Sequence, residues 1–128
     1  METTYSGRKD ISFNGQDHFA EITVRARPSQ PPTEVTLTSD ALDVLRSVYG
    51  PEFEYQRHNV WTGVITQIRC ANVARMMPRV GATSFHVEVV GVRVSGNPSR
   101  EISTFLLTAA AMYAIGNYLV AWEESQAR

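Results

Sequence analysis

The chain of 128 residues holds one cysteine, one lysine and three histidines. Each scarcity excludes something. Cys70 stands alone, so no intramolecular disulfide can form, and a cytoplasmic setting is the simpler reading. His18, His58 and His86 have no metal-ligand spacing such as H-x₃-H, so no metal is expected. No Gly-rich phosphate loop of the pattern G-x-x-x-x-G-K-[ST] occurs, and no cofactor is expected. Net charge is −1, from twelve basic and thirteen acidic residues. That excludes a strong overall electrostatic footprint for nucleic acid. No basic stretch followed by an apolar one occurs near Met1, so no leader is expected. With Lys9 the only lysine, the basic residues are otherwise all arginine. Arginine forks bind carboxylates and phosphates bidentately, although a GC-rich coding bias produces the same composition.

What is present is an ordinary globular composition, 43% apolar and 20% charged. The length predicts a single domain over 1–128, with residues 1–12 polar and frayed. One long run without charge, Ile102 to Trp122, must be buried somewhere. It is long enough to span a bilayer. Its Ser103, Thr104, Thr108, Gly116 and Asn117, and flanks without a positive-inside signal, favour a buried helix and no membrane partner.

Alternation predicts a half-buried strand over Phe19–Arg27, with Ala20, Ile22, Val24 and Ala26 on the apolar face. Pro28 to Pro32 ends it. Val35-Thr36-Leu37 reads as a short extended segment. Ser39 then reads as an N-cap, with Asp40 in the first turn of a helix carrying Leu42, Leu45, Val48 and Tyr49. Gly50-Pro51 stops it. A second strand is expected over Phe53–Arg57 and a helix over Val60–Met77, which would hold Cys70. Thr83–Val94 gives the clearest strand. Phe85, Val87 and Val89 alternate with His86, Glu88 and Val90, and the second series continues through Val92 and Val94. Ser95-Gly-Asn-Pro-Ser99 is a turn, and a last helix runs over Ile102–Glu124.

Two stretches resemble a known family. Asn14-Gly15-Gln16-Asp17-His18-Phe19-Ala20-Glu21-Ile22, with the strand ending in Arg27-Pro28, resembles the Gly-Gln loop and first strand of domain IV of elongation factor G and the ribosomal protection proteins. Phe53-Glu-Tyr, Gly63-Val64-Ile65, the strand Phe85–Val94, the Gly96 turn and Phe105-Leu-Leu-Thr-Ala-Ala-Ala111 follow in that family's order. The resemblance covers about two thirds of the chain, and order and spacing carry it. It implies an α+β two-layer sandwich of β-α-β-β-α type. A left-handed crossover and a mixed sheet with helices on one face are implied with it. The GTPase domain is absent, Thr66 stands where the family has proline, and the Gly96 turn is short and lacks histidine. The fold is therefore expected to transfer better than the translocation role.

In that family two loops meet at a tip that reaches tRNA and the decoding region. Carried over, the resemblance implies a binding tip of Asn14, Gln16, Asp17 and His18 beside Asn97, Ser99 and Arg100. Such side chains suit phosphate and sugar contacts, and two ordinary turns would look the same. The expected function is a non-catalytic binding module docking on a ribosome or other RNA–protein surface, or self-assembling. One alternative is a small enzyme using Asp17 and His18 for acid–base work. The other is a purely structural or regulatory homo-oligomer. The last helix is apolar on most sides, which calls for cover on most sides. A homo-oligomer is expected, with Tyr113, Tyr118 and Trp122 as contacts.

Overall fold

The computed structural model describes residues 3–30, 34–50, 84–95 and 100–126. The chain is an α+β fold: the described residues form a mixed four-stranded sheet with helices on one face. The described elements are β1 (Thr4–Phe13), β2 (Gln16–Ser29), β3 (Glu34–Leu37), α1 (Ser39–Tyr49), β4 (Ser84–Val94) and α2 (Arg100–Gln126). The expected strand Phe53–Arg57 and helix Val60–Met77 lie outside the described residues. The sheet order is β1-β2-β4-β3. β2 runs antiparallel to both β1 and β4, and β3 runs parallel to β4.

The N-terminal residues differ from the frayed tail expected of 1–12: Thr4–Phe13 is a full edge strand. Its core-facing positions are Tyr5, Gly7, Lys9 and Ile11, so the alternation is weak to read. Gly7 is there for close approach. A Cβ on it would lie 2.2 Å from the Ala110 carbonyl oxygen, 2.3 Å from the Ala114 nitrogen and 2.7 Å from the Tyr113 Cβ. The small residues of α2 thus seat the helix directly on β1.

The alternation on β4 changes phase. Thr23 pairs with Gly91 but Val24 pairs with Val89, which leaves Val90 as the extra residue of a bulge. Phe85, Val87 and Val89 are buried, and so is Val92. Strict alternation puts Val92 on the opposite face, with His86. The bulge corrects this, and Gly91 is its sequence mark.

α1 begins one residue earlier than expected. Thr38 is the N-cap, its hydroxyl accepting from the Ala41 amide at 3.3 Å, and Ser39 is the first helical residue. The Thr38 amide donates to the Val89 carbonyl at 3.1 Å, which fastens the cap to β4. Gly50, at φ 66°, ends the helix with its N–H on the Arg46 carbonyl.

One core joins both helices to the sheet. Ala20, Ile22, Val24, Phe85, Val87 and Val89 meet Leu45 from α1 and Leu106, Leu107, Ala110, Ala114, Ile115 and Leu119 from α2. Tyr118 stands edge-on between Tyr5 and Phe85, with centroids at 5.7 and 5.6 Å, and Trp122 packs edge-on against Phe85 at 5.3 Å. Burial, and then Tyr5, pushes the Tyr118 phenol up to about 12. By length and composition the segment Ile102–Gln126 could cross a membrane, but half of its most apolar window is buried inside the chain.

Candidate functional site at the hairpin end of the sheet

The site is built on the turn between β1 and β2. Asn14 and Gly15 have φ of 52° and 75°, and Phe13 pairs with Gln16 across them. Two successive residues at positive φ are what a two-residue type I′ hairpin requires, and Asn-Gly is its preferred sequence. Asn14 therefore serves the turn backbone, while Gln16 and Asp17 stand exposed beside it.

β4 ends at the same end of the sheet. The Phe19 amide donates to the Ser95 hydroxyl and the Ser95 amide donates to the Phe19 carbonyl, each at 3.0 Å. The chain leaving β4 is thus held three residues from the start of β2. Asn97 and Ser99 lie outside the described residues, and Arg100 opens α2.

On the solvent face next to the turn lies a cluster that sequence reading missed. Phe19 is flanked by two guanidinium groups. The Arg8 Cζ is 4.0 Å from its ring centroid and that of Arg93 is 5.8 Å away. Arg8 also holds Asp10 through Nε at 3.0 Å and Nη2 at 3.0 Å. Those hydrogen bonds, helped by the charges of Arg8 and Lys9, keep the Asp10 carboxyl below its ordinary value. Arg93 Nη1 donates to Glu21 at 3.0 Å. An open cleft of about 460 Å³ runs past Arg8, Asp10, Ser12, Asp17 and Phe19 and reaches Ile11 and His18 on the core side. Exposed Phe13 closes the hairpin end. The pairs Arg8–Glu21 and Glu21–Arg93 are register partners, but β1 is needed to see them, and its one clear signal is Asn14-Gly15.

His18 lines this cleft only from its core side. It alternates to the core side opposite Ile11 and is 7% exposed, with no hydrogen-bond partner on Nδ1. Asp17 points the other way, so the two side chains expected to share acid–base work stand on opposite faces of β2. Farther along the solvent face, His86 Nε2 lies 3.1 Å from the Thr36 hydroxyl, and Arg25 is ion-paired to Glu88. Among the described residues no group of three or more His, Cys, Asp or Glu is arranged to hold a metal.

Of the three expected interface residues, Tyr118 is in the core, Trp122 is half-buried on Phe85, and only Tyr113 is exposed.

No family model matches the chain, and no curated protein matches it.

Proposed function

We propose that this chain is a non-catalytic, cytoplasmic binding module that docks on a ribosome or a similar RNA–protein surface with the hairpin end of its sheet. The observation that carries the reading is the Arg8–Phe19–Arg93 stack beside the Asn14–Gly15 turn. An aromatic face with guanidinium groups on it takes bases by stacking and phosphates by charge. The resemblance of Asn14–Ile22 and Phe85–Ala111 to elongation factor G domain IV supports the choice of partner. The near-neutral net charge means that affinity must come from this local patch, not from the field of the whole molecule.

Co-sedimentation with ribosomes across a salt series tests it. The chain should pellet at low salt and be released as salt rises. Arg93→Ala, which removes one exposed guanidinium, should weaken pelleting and lower the salt slope by about one. Phe13→Ala should weaken it without changing the slope. A chain that stays in the supernatant at low salt, or pellets equally well as the double variant Arg8→Ala/Arg93→Ala, overturns the proposal.

A further inference from the structure

The far end of the sheet's solvent face carries a second group of polar and charged side chains. Arg27 of β2 pairs with His86 of β4, which pairs in turn with Glu34 of β3. In the next row on the same face Arg25 pairs with Glu88, and Glu88 with Thr36. Their strand neighbours Val24, Val35, Val87 and Val89 are buried under the helices, so these side chains point away from the core. Most of the group is committed. Arg25 is ion-paired to Glu88, and His86 Nε2 lies 3.1 Å from the Thr36 hydroxyl. Arg27 is exposed, and its guanidinium makes no hydrogen bond or ion pair among the described residues. A depression of about 180 Å³ lies against Arg25, Arg27, His86 and Glu88.

We propose that this depression binds a phosphate group, with Arg27 as its anchor. A guanidinium with its whole fork free fits two phosphate oxygens at once. The His86 ring lines the same depression and adds a second donor. Two carboxylates stand nearby, and neither outweighs Arg27. Glu88 is already neutralised by Arg25. Glu34 is two strand spacings from Arg27, about 10 Å. That exceeds the ~8 Å over which exposed charges act in physiological salt. Size sets the class of ligand. Sites for whole small molecules run from roughly 300 Å³ upward, so a volume of about 180 Å³ takes a phosphate group and its waters, not a base with its sugar. Free phosphate and a phosphate carried by a nucleotide or a nucleic-acid strand share this chemistry. Arg27 lies about 27 Å along β2 from Phe19, so the site stands or falls separately from docking at the hairpin end.

NMR of the full chain, titrated with inorganic phosphate against chloride at constant ionic strength, tests it. The signals of Arg27 and His86 should shift and saturate with phosphate but not with chloride. Arg27→Ala should weaken binding about tenfold or more. Arg27→Lys keeps the charge but loses the fork, and should fall between parent and alanine variant. Both changes are at an exposed position and should leave the unfolding temperature near that of the parent. A nucleoside monophosphate and a short oligonucleotide, titrated in the same way, separate the sources. Equal affinities mark a site for the phosphate group alone, a gain with the oligonucleotide marks a strand's backbone phosphate, and each supports the proposal. Phosphate that gives no saturable shift at Arg27, or that binds the Arg27→Ala chain as well as the parent, overturns it. So do shifts confined to Arg8 and Arg93, which would leave docking at the hairpin end standing.

Discussion

Replacing Gly7 by alanine should destabilise the fold more than any other single-methyl change on the sheet. The added carbon would stand 2.2 Å from the Ala110 carbonyl oxygen and 2.3 Å from the Ala114 nitrogen. Non-bonded carbon contacts are at rest near ~3.5 Å, so α2 must withdraw from β1 by about 1 Å. Both atoms belong to helix backbone, so no side chain can swing aside. Withdrawal also loosens Ala110, Ala114 and Tyr118 from the strands beneath them. Overpacking of this kind costs roughly 1–3 kcal/mol, and a clash with backbone belongs at the top of that range. The backbone entropy that alanine saves, about 0.5–1 kcal/mol, offsets only part. A net loss of about 2–2.5 kcal/mol lowers Tm by roughly 6–12 °C for a domain of this size. Thermal and urea unfolding followed by circular dichroism would measure it. Gly91→Ala is the control, since its Cβ would lie 3.5 Å from the Thr23 Cβ, an ordinary contact, and it should change stability by less than about 1 kcal/mol. If Gly7→Ala unfolds at or above the parent's temperature, β1 does not lie against α2 as described.

Two further perturbations probe the core and the turn. The folded Tyr118 phenol lies above its unfolded value of 10.0, at about 12; its contribution is therefore full below pH 10 and is lost as pH rises from 10 through 12. Urea unfolding across that window should show a fall of about 2–3 kcal/mol that Tyr118→Phe abolishes, and equal slopes in parent and variant would refute the assignment. Gly15→Ala meets no neighbour but forces a side chain into φ +75°. It should cost about 1 kcal/mol, read as a Tm drop of roughly 3–5 °C, and a neutral result would count against the type I′ turn.

The elements that bury apolar residues at strict spacing were open to sequence reading. Ala20, Ile22 and Val24 marked β2. Phe85, Val87 and Val89 marked β4. Leu42 and Leu45 marked α1, and the charge-free run marked α2. β1 was not, because its core side offers Gly7 and Lys9 where a strand pattern needs bulk. Val92 was misplaced because one extra residue at Val90 inverts the alternation beyond it. The Arg8–Phe19–Arg93 cluster was invisible for another reason: its three members come from three strands, and their adjacency is a property of register. His18 was legible as part of the loop, but not as a buried residue. Its position on the face of Ala20 and Ile22 follows from β2 starting at Gln16 instead of Phe19.

The strand order also fixes when the molecule can become stable. The β1–β2 hairpin closes locally, yet its apolar face has no partner of its own. β2 must wait for β4, and both must wait for α2, which supplies most of their cover. A chain emerging from its N-terminus holds Ala20, Ile22 and Val24 open to water until residues 84–126 have followed. Apart from the β1–β2 hairpin, the contacts that stabilise the sheet are distant in sequence, and such contacts form slowly. The hairpin can exist briefly alone, but not durably. Release of the last helix is then the event that commits the whole chain to its fold, and a nascent chain halted before α2 would present two apolar strand faces to whatever chaperone is at hand.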